Sequence, residues 1–227
     1  MAKKNKLMVF DMDGVLVDVS RSYMLAIKKT VEFFLGSIIP IAEVEAMKQV
    51  PGNNDDFDCT RSILLAYGIP ATEKALIKKF QEFYQGKNFD GLIKNERFLL
   101  REDTLKALSS QCTLAIFTGR DRKESTYALE KAEAAKYFKT VITAEDVKKK
   151  KPDPEGLLKL LDKYKPQDVW YVGDSVDDAA AARKAEVPFV GVIPPGTSNP
   201  AELKSILLRK GAARVLDSIE QIQKVIG

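Results

Sequence analysis

From about residue 97 to residue 227, short apolar runs alternate with stretches of helical periodicity, and few folds accommodate that order. Strand-like runs fall near 113–117, 140–143, 169–172, 188–192 and 213–216, between helical patterns near 101–110, 122–135, 154–164, 175–185, 200–209 and 218–225. Such alternation requires right-handed crossovers and a parallel sheet with helices on both faces. The expected fold class is α/β, a Rossmann-like parallel sheet. Residues 19–96 break the pattern, because they are helical throughout. A first helix near 20–35 carries Tyr23, Ile27, Val31 and Phe34 at helical spacing and stops at Gly36. Others are expected near 41–49, near 58–67 before Gly68, and from a Thr72 cap to about Gln85. A small α-helical bundle, 19–96, is thus inserted into a core made of 1–18 and 97–227.

The apolar run Leu7-Met8-Val9-Phe10 adds a strand ahead of the insertion, and it ends abruptly in Asp11-Met12-Asp13-Gly14. In open α/β sheets ligands bind beyond the carboxyl ends of the strands, where both aspartates stand. Residues two apart on a strand share a face, and Gly14 permits close backbone approach. Two carboxylates so near repel unless a proton or a metal intervenes, so a divalent metal is implied. The GxGxxG fingerprint of dinucleotide-binding folds is absent from this position, so no nicotinamide cofactor is indicated.

Asp11-Met12-Asp13-Gly14 resembles the first motif of the haloacid dehalogenase superfamily, most of whose members are Mg-dependent phosphohydrolases. Three further segments resemble its other motifs in order: Thr118 after Leu114-Ala115-Ile116-Phe117, Lys151 in Lys151-Pro152-Asp153-Pro154, and Gly173-Asp174-Ser175-Val176-Asp177-Asp178 after Val169-Trp170-Tyr171-Val172. The position of the helical insertion, between the first and second motifs, resembles that of the α-helical cap of the subfamily IA phosphatases.

The resemblance implies that Asp11 attacks phosphorus to form an aspartyl phosphate, while Asp13 protonates the leaving oxygen and then activates water. It implies Mg2+ held by Asp11, Asp174 and the backbone carbonyl of Asp13, with Asp178 behind them. Thr118 would donate to the phosphate, with the amides of Gly119 and Arg120 extending the anion site. The Arg120 side chain, at a helix start, reads as solvated and stays outside the catalytic set. Lys151 closes a run of four lysines, yet Pro152 holds it extended and Pro154 suits the next helical turn, which gives it a direction its neighbours lack. The family's helix usually ends Ala-Gly before its next strand; Ala185-Glu186 stands here, at a cost of roughly 1 kcal/mol in stability.

The chain has no histidine, which removes Ser-His-Asp and Cys-His catalysis and histidine-ligated zinc. A formal net charge of +4 with interspersed signs gives no nucleic-acid surface, and no run is long enough to cross a membrane. The basic stretch before Leu7 is followed by too short an apolar run for a secretion signal. Cys59 and Cys112 are the only cysteines, and Cys112, opening a strand, reads as a buried reduced thiol; a cytoplasmic monomer or homodimer is expected.

Asp13 argues against dehalogenation, because a halide needs no acid to leave. The expected substrate is a small-molecule phosphate monoester. In the insertion, Asn53, Asn54, Asp55 and Asp56 form an acidic, amide-rich turn, which would disfavour phosphoglycolate and bisphosphates and favour an amine or polyol head, histidinol phosphate being one candidate. A capping turn for the next helix is the plainer reading. A sugar phosphomutase is the nearest enzymatic alternative and would be activated by a bisphosphate. A phosphate-accepting receiver domain has its acceptor after the third strand and no helical insertion. An inactive scaffold binding a partner would have no need of Asp11, Asp13, Thr118, Lys151 and Asp174 together.

Overall fold

The computed structural model describes residues 5–53 and 55–226. Contacts divide the chain into two compact units, one of Met1–Asp18, Arg97–Pro195 and Asn199–Gly227, the other of Val19–Glu96 with Gly196–Ser198.

The first unit is built on a six-stranded parallel sheet of β1 (Lys6–Phe10), β4 (Thr113–Phe117), β5 (Phe138–Ile142), β6 (Asp168–Gly173), β7 (Phe189–Val192) and β8 (Arg214–Leu216), in the order β5-β4-β1-β6-β7-β8. The helices are α5 (Glu102–Gln111), α6 (Arg122–Lys131), α7 (Glu155–Tyr164), α8 (Val176–Lys184), α9 (Pro200–Arg209) and α10 (Gln223–Ile226). Leu7, Met8, Val9 and Phe10 are all buried, which is why β1 reads as an unbroken apolar run rather than an alternating one. Leu7 and Val9 pack with Ala115, Phe117, Leu157 and Tyr171 on one face, while Phe10 sets its ring edge-on to Phe138 at 6.2 Å. β1 lies between β4 and β6, so the strands that end in Asp11, Thr118 and Asp174 are neighbours at the point where the strand order reverses.

Periodicity left some features unread. β2 (Val17–Asp18) and β3 (Arg97–Phe98) form an antiparallel pair, with Asp18 opposite Arg97 and an ion pair between them at 2.8 Å. Two residues are too few to show a period. The helix expected over 122–135 ends at Lys131, because Glu133 turns to a φ of 52°. Glu186 sits at a φ of 57°, the left-handed position where the family favours glycine. Both cysteines are free, and Cys59, not Cys112, is the fully buried one; Cys112 is half-buried behind α5.

The second unit holds α1 (Tyr23–Leu35), α2 (Ile41–Lys48), α3 (Asp56–Ala66) and α4 (Glu73–Tyr84). Its centre is aromatic: Tyr23 stacks on Tyr84 at 4.1 Å and Phe57 meets Phe80 edge-on at 5.1 Å. α1 starts later than expected because Ser22 donates its hydroxyl to buried Glu96 at 2.7 Å instead of capping the helix. α3 starts earlier, since Asp55 caps it. Among the described residues no helix is long and apolar enough to cross a membrane.

Candidate active site

Asp11 follows β1 directly, its backbone N–H bonded to Val172 of β6 at 2.8 Å. The chain then turns, with Leu16 and Val17 both donating to the Met12 carbonyl. Gly14 has a φ of 72°, and a Cβ there would overlap the Asp174 carboxylate, reaching 2.8 Å from its carboxyl carbon. Glycine is what lets the β1 turn and the end of β6 approach.

Lys151 stands between the acids. Its Nζ is 2.8 Å from Asp11 Oδ1 and 2.8 Å from Asp178 Oδ1, with the side chain only 4% exposed, whereas Lys148, Lys149 and Lys150 are exposed. The ammonium also lies over the rings of Phe117 at 5.2 Å and Tyr171 at 5.8 Å. Glu155, opening α7, holds the approach by accepting from the amides of Lys148 and Lys149.

Asp178 occupies both of its oxygens. Oδ1 accepts from Lys151 and from the Tyr171 hydroxyl at 2.6 Å, while Oδ2 accepts from Ser175 N–H and Oγ in the capping box of α8 and from Asp174 N–H at 3.3 Å. One carboxylate thus serves as a helix cap and as the anchor of the site's lysine. Asp174, one residue before that cap, is directed by the same turn.

Thr118 is buried at the end of β4, its N–H bonded to Ile142 at 2.9 Å. Its Oγ1 accepts the Arg120 N–H at 3.1 Å, so that amide is spent locally and does not join an anion site as the sequence suggested. Gly119 is exposed. The larger correction concerns the Arg120 side chain. Expected in solvent, it has no exposure at all, and its Nε and Nη2 reach Asp13 Oδ1 at 2.7 and 2.5 Å. A charged group removed from water needs a partner, and Asp13 is that partner. Tyr171 is the other residue sequence reasoning passed over. A tyrosine in a strand buried on both faces must satisfy its hydroxyl, and that was the available signal.

Burial pushes the Asp11 carboxyl up to about 7, with Asp178 and Asp13 adding to it against the pull of Lys151. Asp174 is raised well above the carboxylate range for the same first reason, with Asp178 and Asp11 next. Burial works against the Lys151 ammonium too, but Asp11 and Asp178 overcome it and raise its pKa. Fully ionised, Asp11, Asp13, Asp174 and Asp178 would set four negative charges against two cations, Lys151 and Arg120, and burial, together with this formal excess of two, raises Asp11 and Asp174 when no cation is bound. Asp11, Asp174 and Asp178 each bring a carboxylate oxygen within 4.8 Å of the others, and buried Asp11 Oδ1 has Lys151 at 2.8 Å as its ion-pair partner. An all-oxygen donor set whose full ionisation leaves two surplus negative charges fits a hard divalent cation such as Mg2+.

The acidic turn of the second unit has local employment. Asp55 caps α3, accepting from Phe57 and Asp58 N–H, and Asp56 pairs with Lys48. Asn53 is buried, donating to Met47 Sδ and accepting from Ser62 Oγ at 3.0 Å. Asn54 lies outside the described residues.

The family model for haloacid dehalogenase-like hydrolases matches residues 8–192. A phosphoglycolate phosphatase from Shigella dysenteriae is 31% identical over 207 residues, 81% of this chain and 79% of that protein. An imidazoleglycerol-phosphate dehydratase from Phytophthora nicotianae is 31% identical over 95% of this chain, which spans about half of that protein, 51% of its length. Among solved structures, a predicted phosphoglycolate phosphatase from Haemophilus somnus superposes with a TM-score of 0.78 at 21% identity over the whole of both chains. A subfamily IA hydrolase from Geobacter sulfurreducens gives 0.67 at 21% identity, over all of this chain and 98% of that one. At these identities the two structures attest the fold.

Proposed function

The chain belongs to the haloacid dehalogenase-like hydrolase family and is a phosphatase of that family, and from that premise we propose that it hydrolyses a small-molecule phosphate monoester in two steps, with Asp11 as nucleophile and Asp13 as acid and base. The observation that carries the reading is the buried Asp11 carboxylate at the end of β1, held 2.8 Å from Lys151, an ammonium that also attracts an anionic phosphoryl group.

In the first step an Asp11 oxygen bonds to phosphorus as the ester P–O bond breaks, and Asp13 gives its proton to the departing oxygen. In the second, water attacks phosphorus, Asp13 takes the proton, and the bond between phosphorus and Asp11 breaks, returning both side chains to their starting state. The Thr118 hydroxyl, the Gly119 amide and Lys151 hold the phosphoryl oxygens. Asp11, Asp174 and the Asp13 backbone carbonyl are the proposed holders of Mg2+, which when bound neutralises charge on the phosphoryl oxygens. Asp178 keeps Lys151 aimed and stays behind the metal ligands.

We read the helical unit as a cap domain, since it interrupts the chain between two motif-bearing strands, has its own aromatic centre and is joined through the paired β2 and β3. The acidic turn lends little to an amine-bearing substrate such as histidinol phosphate, because Asp55 and Asp56 are spent on a cap and an ion pair. The names of relatives at 31% identity put phosphoglycolate at the head of the panel. Two free thiols support a cytoplasmic setting.

The test is phosphate release from phosphoglycolate, sugar phosphates, glycerol phosphate and amino-alcohol phosphates, with Mg2+ or with EDTA, beside Asp11→Asn. Mg-dependent release lost in the variant is the expected result. Turnover that requires a bisphosphate activator would make the protein a phosphomutase, and release that survives Asp11→Asn would remove the nucleophile from this reading.

A further inference from the structure

Arg120 has no part in the chemistry just proposed, yet its placement is specific. A guanidinium without exposure has given up its hydration, and only a well-oriented acid repays that. Two of its N–H donors converge on one oxygen, Asp13 Oδ1, at 2.7 and 2.5 Å. Two donors on one oxygen fix the direction of the carboxylate and leave Oδ2 as the oxygen for exchange, on a side chain that remains 31% exposed. The backbone of the same residue acts on Thr118: its N–H donates to Oγ1 at 3.1 Å, so that hydroxyl accepts there and keeps its own hydrogen for another acceptor. The Arg120 carbonyl is fixed in turn by the Ala144 N–H at 2.9 Å. Arg120 therefore ties the end of β4 to the acid on the β1 turn.

We propose that Arg120 is a positioning residue that holds Asp13 Oδ1 so that Oδ2 delivers the proton to the leaving oxygen. The inference rests on the reading of Asp13 as the acid, and the experiment separates the two.

p-Nitrophenolate leaves without a proton, whereas the oxygen of an alkyl ester such as glycerol phosphate must be protonated as it departs. The quantity to measure is the ratio of kcat/KM for p-nitrophenyl phosphate to that for glycerol phosphate, in wild type, Arg120→Lys, Arg120→Gln and Asp13→Asn. Within one preparation the ratio is independent of the folded fraction, so a purely structural defect does not move it. Arg120→Lys keeps the charge and loses the converging fork, and it carries the test if Arg120→Gln does not fold. The ratio is expected to rise about tenfold in the Arg120 variants and about a hundredfold in Asp13→Asn. A ratio raised in Asp13→Asn but equal to wild type in both Arg120 variants would overturn the positioning role and leave Asp13 as the acid. A ratio unchanged in Asp13→Asn would remove the acid itself, and this inference with it.

Discussion

Tyr171 donates its hydroxyl hydrogen to Asp178 Oδ1 over 2.6 Å, the oxygen that also receives the Lys151 ammonium. Burial first, then Asp178 and Asp11, raise the Tyr171 hydroxyl well above its ordinary pKa, so it remains a donor at working pH. Burial opposes ionisation of Asp178, but Lys151, Tyr171 and Ser175 outweigh it and hold its carboxyl below the usual range. An ionised Asp178 with every lone pair engaged cannot drift, and Lys151 is held by what cannot drift.

Replacing Tyr171 by Phe keeps the ring against Phe117 and Phe189, at 6.3 and 6.1 Å, and deletes only the donor. A lost hydrogen bond to a buried charge costs about 1.5–3 kcal/mol, and a loosened Lys151 should lower kcat more than it changes KM. Urea denaturation and steady-state kinetics check both. An unchanged denaturation midpoint would mean that the hydroxyl contributes nothing to the network.

Gly14→Ala places a methyl group where Asp174 now sits, at a φ of 72°. The backbone strain alone costs about 1–2 kcal/mol, and the displaced carboxylate should weaken Mg2+ binding at least tenfold by the effect of misplaced ligands. Calorimetric titration with Mg2+ reads the second effect apart from stability. Equal affinity in the variant would show that Asp174 can move aside without cost and that the close approach is not needed.

The sheet was legible because its strands are buried on both faces and so read as continuous apolar runs, as with Leu7 to Phe10. The motif residues were legible because a charged group at a strand end has no packing reason to be there. Arg120 was not, since burial of a guanidinium depends on an acid 107 positions away, on a neighbouring strand's turn. Tyr171 was hidden for the opposite reason: in an apolar strand its ring is sufficient explanation, and only the fold brings its hydroxyl to Asp178. The acidic turn at Asp55 and Asp56 was over-read, because capping asks for the same residues as a polar site does.

That turn yields a simple check. Asp55 is the N-cap of α3, so Asp55→Ala should cost about 1 kcal/mol and Asp55→Asn, an equally good cap, close to nothing. The order of preference among phosphate esters should be the same in both variants and in wild type. A change of order in Asp55→Asn would return the turn to a role in substrate selection.

The site's own charge makes the final prediction, about protein freed of metal. Folded Asp11 keeps its proton to about pH 7, whereas in the unfolded chain it loses it near 3.8. Between those values the native state binds more protons than the unfolded one, so stability falls as pH rises through the window and levels off above it. Asn is a neutral isostere of the protonated acid. In EDTA at pH 8, Asp11→Asn should therefore be more stable than wild type, on the order of 1–3 kcal/mol, with the gap closing toward pH 5. Mg2+ should invert the order, because at a hundred times its dissociation constant it stabilises wild type by about 2.7 kcal/mol and has lost a ligand in the variant. Urea midpoints at the two pH values, each with EDTA or Mg2+, decide it. A variant less stable than wild type in EDTA at pH 8 would mean that the attraction between Lys151 and Asp11 exceeds the cost of burying the acid, and that the unmetallated site is balanced rather than strained.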